Sequence, residues 1–151
     1  MKNLLIVYHS QSGNTKALAS AVAEGVSQES EANIRLKTAF NAGLDDLLWA
    51  HGVLLGTPEN FGTMSGALKD FFDRTFYPAE PHKLNLPYAI FISAENDGSG
   101  AAREIDRIAC GYPMRKIAEP LIIKGEVSSV DIQSAQEFGL AMAAGLCLGI
   151  Y

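Results

Sequence analysis

Ser10, Ser12 and Thr15 set three side-chain hydroxyls around Gly13, in the segment His9-Ser10-Gln11-Ser12-Gly13-Asn14-Thr15. A short apolar run at residues 4–8 precedes it, and residues 16–26 follow with Leu18, Val22 and Val26 on one helical face. The hydroxyls therefore stand where a strand hands over to a helix. Free backbone N–H groups and the helix dipole make that position an anion site, and the hydroxyls add donors suited to a phosphate. Gly13 lets the backbone come close to such a group. Helix capping alone would account for one of these hydroxyls and leaves the others unexplained.

Spacing separates this loop from other phosphate motifs. A Walker A loop, G-x-x-x-x-G-K-[ST], needs an earlier glycine that is missing, and Lys16 stands three positions beyond Gly13. The dinucleotide fingerprint G-x-G-x-x-G is absent after the first apolar run, and Gly98-Ser99-Gly100 lacks its third glycine because that position is Arg103. A phospho-receiver would need acids at the ends of its first and third strands, where this chain has Tyr8-His9 and Gly56-Thr57.

The elements that must position the loop alternate regularly. Ile34, Leu36 and Thr38 interleave with Arg35 and Lys37 like a half-buried edge strand, and Leu44, Leu47 and Leu48 suggest a short helix. Residues 53–56 read as a central strand, followed by a helix from about Ser65 with Leu68, Phe71 and Phe72 inward. Residues 88–92 form another buried strand, Ile105 and Ile108 mark a helix, and residues 121–123 make a fifth strand. A last helix, capped by Ser128 or Ser129, carries Ile132, Ala135, Phe138 and Met142. Residues 78–87, bounded by prolines, read as a surface connection. Apolar strands alternating with helices predict an α/β, doubly wound parallel sheet with helices on both faces. Ligands in such folds bind beyond the carboxyl ends of the strands, so the loops after strands one, three and four are the places for function.

Composition bounds the rest. At 151 residues, 48% hydrophobic and 19% charged, the chain reads as one domain over residues 1–151. No apolar run reaches the roughly 18 residues of a membrane span, and the amino terminus is too short in apolar residues for a signal peptide, so the cytoplasm is the expected location and no membrane partner is expected. A net charge of −5 with scattered Lys and Arg argues against nucleic acid. Cys110 and Cys147 lack metal or CxxC spacing and are expected as buried, reduced thiols.

The first loop resembles that of the flavodoxins, [ST]-x-[ST]-G-x-[ST], matched by Ser10, Ser12, Gly13 and Thr15. The second loop, Thr57-Pro58-Glu59-Asn60-Phe61-Gly62-Thr63-Met64, resembles the G-T-P-x-x-[FY]-G-x-[MP] segment of flavodoxin-like quinone and flavin reductases. The resemblance implies a flavodoxin-like five-stranded sheet in the order 2-1-3-4-5 and non-covalent flavin mononucleotide (FMN). It implies that residues Ser10, Gln11, Ser12, Gly13, Asn14 and Thr15 wrap the 5′-phosphate without a cation. It places Phe61 by the isoalloxazine, with backbone groups of residues 58–63 at the ring edge and N5. It gives the pyrimidine end to the amides of Ser93, Ala94, Glu95, Asn96, Asp97, Gly98 and Gly100.

The third loop departs from electron-carrier flavodoxins, because residues 93–100 include no aromatic to stack on the ring. One ring face is then open, or Tyr77, His82 or Tyr112 covers it from a neighbouring loop or second subunit. The implied function is an electron carrier with a redox partner protein, or an NAD(P)H-dependent quinone or flavin reductase, or a flavin-free binding module. No catalytic side chain and no metal are assigned. His9 is given a packing role, His51 a helix C-terminal cap and Trp49 a packing role, while Glu59, Glu95 and Asp97 read as solvated loop acids. The Phe71-Phe72 and Phe76-Tyr77 clusters fit a core better than a dimer surface.

Overall fold

The computed structural model describes residues 1–151. Strand β1 (Lys2–Tyr8) is apolar on both faces, and alternation sends Leu4 and Ile6 to one side of the sheet and Leu5 and Val7 to the other. It sits centrally, paired in parallel with β2 (Ala32–Thr38) and β3 (Gly52–Pro58). Strand β4 (Pro87–Ala94), buried at every position, lies on the far side of β3. The order β2-β1-β3-β4 with parallel neighbours is the one expected, and helices cover both faces.

On one face α2 (Leu44–Trp49), α3 (Gly66–Ala79) and α4 (Ser99–Gly111) bury Leu47, Phe71, Phe72 and Ile105. On the other, α1 (Asn14–Ser27) and α5 (Ser129–Cys147) bury Leu18, Val22, Val26, Ala135 and Met142. These two helices cross at glycines. A Cβ on Gly25 would collide with the Gln136 carbonyl and one on Gly139 with the Val22 carbonyl. Helix α5 starts with a reciprocal capping box between Ser128 and Asp131.

The fifth position differs from the expectation of one strand at residues 121–123. Two short strands share it, β5 (Arg115–Lys116) and β6 (Leu121–Lys124), both paired with β4. Four residues, 117–120, stand opposite only Ala89 and Ile90, so the ladder is interrupted there, where Pro120 also lacks a donor. The expected surface connection at residues 78–87 is partly helical. α3 continues through Pro78 to Ala79 and runs into a 3₁₀ turn at Glu80–His82 before β4 begins. No helix is long and apolar enough to cross a membrane.

Candidate functional site

Strand β1 ends at Tyr8, the His9 amide bonds the Gly56 carbonyl, and the chain then leaves the sheet. Gly13, with φ of 110°, turns it into α1. This left-handed turn favours glycine and points the following amides outward. The Gly13 amide bonds Ser10 Oγ at 3.2 Å, and Gly13 offers α1 no side-chain cap. The amides of Ser10, Gln11, Ser12, Asn14, Thr15 and Lys16 donate to no group of the chain. Such a helix N-terminus, with unused donors and no carboxylate of its own, is electrostatically suited to accept an anion. Ser10 and Ser12 reach solvent, whereas Thr15 is buried and its hydroxyl is 2.7 Å from Ser93 Oγ. Thr15 therefore ties α1 to the end of β4 across β3, a role its spacing alone did not distinguish from direct ligand contact.

The second loop is braced from within. Buried Thr57 accepts from the Ser65 amide at 2.9 Å and donates to the Pro58 carbonyl at 2.8 Å, closing the base of residues 58–64. Asn60 and Thr63 exchange both backbone hydrogen bonds, at 2.9 and 3.0 Å, and form a two-residue hairpin. Its central residues, Phe61 and Gly62, have φ of 52° and 76°, as in a type I′ turn. Gly62 takes that backbone freely, but for Phe61 it costs about 1 kcal/mol. The Phe61 ring is fully exposed, at 107% of its reference area. A large aromatic is thus held in a strained turn and kept out of the core. Of the amides at 58–63, Glu59 bonds the Ser93 carbonyl and Asn60 and Thr63 bond each other, which leaves those of Phe61 and Gly62 unpartnered.

Glu59 is not a solvated loop acid. Its carboxylate accepts from the amides of Gly98 at 3.2 Å, Gly100 at 3.0 Å and Ala101 at 3.2 Å, and so caps α4 from another loop. A Cβ on Gly100 would collide with the Gly62 carbonyl, so the hairpin tip rests directly on α4. Asp97 is also engaged, accepting from the Ser99 amide and hydroxyl at 2.9 Å each. The Ser99 amide, then its hydroxyl, hold the Asp97 carboxyl below the usual range. The amides of Gly98 and Gly100 are thus spent on Glu59 and that of Ser99 on Asp97, while those of Glu95, Asn96 and Asp97 donate to no group of the chain. Glu95 alone of the three loop acids is free and exposed.

The three loops meet at a cavity of about 120 Å³ lined by Ser12 and Asn14, by Pro58, Glu59 and Asn60, and by Ser93, Ala94 and Glu95. Pockets that enclose a whole ligand have roughly 300–1,000 Å³, so this cavity is too small to enclose one. Two larger hollows, of about 410 and 550 Å³, share Lys69, Glu104 and Ile108 along the outer α3–α4 face; the first reaches the back of the hairpin.

Within one chain, Tyr77, His82 and Tyr112 do not reach the site. Helix α3 carries Tyr77 about 16 Å from its start beside the hairpin, at 1.5 Å per residue, toward the opposite rim of the sheet. His82 precedes β4 and Tyr112 ends α4 at that same rim. Tyr112 is buried, donating to the Phe72 carbonyl at 2.7 Å. His51 is no helix cap; its Nδ1 accepts from the Asn3 amide at 2.8 Å. Trp49 packs against the core under the Arg35 guanidinium, 4.2 Å from the ring centroid. His9 lies edge-on to exposed Phe40, with centroids 6.0 Å apart. Both cysteines are free, but Cys110 is exposed and Cys147 half-buried rather than core thiols. Phe71 and Phe72 are buried, while Tyr77 is exposed.

Parts of the chain resemble known proteins. A family model described as NADPH-dependent FMN reductase matches residues 27–115, which include the second and third loops. A flavodoxin of Aquifex aeolicus is 41% identical over 73 residues, covering 48% of this chain and 40% of that protein. An NAD(P)H dehydrogenase (quinone) of Acidithiobacillus ferrooxidans is 34% identical, covering 50% of this chain and 48% of that protein. The matches thus span less than half the length of these curated relatives. In structure, an archaeal flavodoxin superposes with a TM-score of 0.82 at 23% identity, covering 96% of this chain and 99% of that one. The rubredoxin oxygen:oxidoreductase of Desulfovibrio gigas gives 0.85 at 16% identity, covering 99% of this chain and 37% of that one. These likenesses establish the flavodoxin fold. With its sheet order and a match over residues 27–115, this chain belongs to the NADPH-dependent FMN reductase family, among the flavodoxin-like flavoproteins.

Proposed function

We propose that the chain binds FMN non-covalently between its three loops and carries electrons through it. The observation that carries this reading is the α1 N-terminus. The amides of Ser10, Gln11, Ser12, Asn14, Thr15 and Lys16 donate to nothing, and Ser12 and Asn14 line the cavity shared with Asn60 and Glu95. Amides and hydroxyls of residues 10–15 take the phosphate. Phe61 supplies an aromatic surface on one side of the ring, and the amides of Phe61, Gly62, Glu95, Asn96 and Asp97 are the donors left for the ring edge. The flavin supplies the redox chemistry when bound. The chain orients it, and the carboxylates of Glu59, Glu95 and Asp97 disfavour added negative charge at that end.

Titration of the apoprotein with FMN, followed by flavin fluorescence, tests this. The parent quenches tightly, and a Ser10→Ala, Ser12→Ala double variant binds about ten- to a hundredfold more weakly, as expected for lost hydrogen bonds to a charged group. No quenching by folded parent protein ends the proposal.

The second reading is an NAD(P)H-dependent quinone or flavin reductase. It draws on one observation: residues 93–100 hold no aromatic, and Tyr77, His82 and Tyr112 lie at the far rim of the chain, so none of these covers the ring face opposite Phe61. A nicotinamide or quinone could stack on that face. Rapid reduction of the bound flavin by NADPH or NADH favours this reading. A stable one-electron form without direct pyridine-nucleotide oxidation favours the carrier. The cytoplasm is the location we propose for either.

A further inference from the structure

Two helix N-termini, those of α1 and α4, follow the strands that end at the cavity, and they are finished in opposite ways. That of α1 carries unused amides and no carboxylate of its own. That of α4 is filled by Glu59, which arrives from a loop 39 residues earlier in the chain. We infer that Glu59 is a positioning residue: by holding the amides of Gly98, Gly100 and Ala101 it locks hairpin 60–63 and segment 95–98 into one rigid clamp for the isoalloxazine, an inference that rests on the FMN reading above.

The geometry of the clamp is specific. Glu59 spans α4's first turn with both oxygens, Oε1 on Gly98 and Oε2 on Gly100 and Ala101. Charge-assisted bonds from three amides are stronger than the neutral bonds found elsewhere in these loops. The second contact is steric, because Gly100 has no Cβ and the Gly62 carbonyl occupies the space one would fill. Gly62 neighbours Phe61, whose positive φ persists only where its surroundings over-determine it. The docking of Glu59 and Gly62 on α4 supplies that constraint. The pair of loops therefore presents the backbone of the Phe61–Gly62 turn and the amides of residues 95–97 at fixed separation before any ligand arrives, which lowers the ordering cost of binding. It also leaves α1 as the helix terminus open to phosphate.

Amide hydrogen exchange on the apoprotein, together with FMN and riboflavin titrations, tests the clamp in the parent, Glu59→Ala, Glu59→Gln and Gly100→Ala. In Glu59→Ala the amides of Gly98, Gly100 and Ala101 and those of Asn60 and Thr63 exchange faster together. Affinities for FMN and riboflavin fall by the same factor, about tenfold, because the ring clamp and not the phosphate site is damaged. Glu59→Gln, which keeps an accepting oxygen, recovers part of both effects. Gly100→Ala reproduces them by wedging the loops apart with Glu59 intact. Ser12→Ala, in contrast, weakens FMN and spares riboflavin. The clamp is overturned if exchange rises only at residues 98–101 while Asn60 and Thr63 stay protected, or if parent and Glu59→Ala bind riboflavin equally. A parent that binds neither flavin refutes the FMN reading, and joint or separate exchange of the two loops then still decides whether the clamp exists. If Glu59→Ala fails to fold, Glu59→Gln and Gly100→Ala carry the same two outcomes.

Discussion

At the scale of the residue, Phe61 carries a local backbone cost that the fold does not recover. Its φ of 52° belongs to a turn position that Asn occupies far more readily, and its ring gains nothing from the core because it is fully exposed. Replacing it by Asn, which with Gly62 makes the preferred type I′ pair, is expected to stabilise the apoprotein by about 1 kcal/mol in urea unfolding. The same change weakens FMN binding at least severalfold, since the aromatic surface is gone. Loss of stability in this variant would show that the Phe61 ring makes contacts that hold the fold. Thr15 teaches the complementary lesson. Its hydroxyl spacing matches Ser10 and Ser12, yet it is buried on Ser93.

At the scale of the element, the site depends on where helices begin. Helix α1 offers its N-terminus because Gly13 turns the chain without capping it, and α1 is held in place by its crossing with α5. Gly139 allows that crossing, since a Cβ there would meet the Val22 carbonyl. Gly139→Ala is expected to cost about 1–3 kcal/mol through overpacking, read as a lower urea midpoint with an unchanged slope. An unchanged midpoint would mean the two helices can part without loss. Strand five is the element least legible beforehand, because an apolar run at residues 121–123 announces β6 while Arg115 and Lys116 of β5, both exposed, carry no apolar signal. Their pairing with Pro87 and Tyr88 is set by the edge that β4 presents.

At the scale of the whole molecule, the face that holds Phe71, Phe72 and Ile105 also buries two phenols. Tyr88 donates to Asp106 at 2.8 Å, and Tyr112 bonds Thr75 and the Phe72 carbonyl. Burial, then the Asp106 hydrogen bond, raise the Tyr88 phenol far above its ordinary value. Burial also pushes Tyr112 up to about 12, against a partial offset from Thr75. A phenol whose folded pKa exceeds its unfolded pKa, about 10, binds more protons when folded. Its contribution to stability is complete below pH about 10 and is lost as pH rises through the folded value. Alkaline unfolding is therefore expected between pH about 10 and 12, with part of the tyrosinate absorbance of the five tyrosines appearing only as the fold is lost. Smooth titration of all five well before the loss of helical circular dichroism would contradict it.

The alternation of apolar strands and amphipathic helices, hence a doubly wound sheet, and the handover from residues 4–8 to a helix through hydroxyls and Gly13 are legible in the order of the residues alone. Those features are local, because side-chain periodicity and turn chemistry act over a few residues. The resemblance to flavodoxins, carried by Ser10, Ser12, Gly13 and Thr15, added FMN and the strand order. Only the tertiary structure decided which groups were spent and which were left. Glu59 looked like a solvated acid because its partners at residues 98–101 lie some forty positions away, and Gly98 and Gly100 looked available for the same reason. Tyr77, His82 and Tyr112 were candidates from neighbouring loops of the same chain until α3, the turn after it and α4 carried them to the far rim. Hydrogen-bond satisfaction and close approach are properties of distant segments brought together, and no spacing along the chain records them.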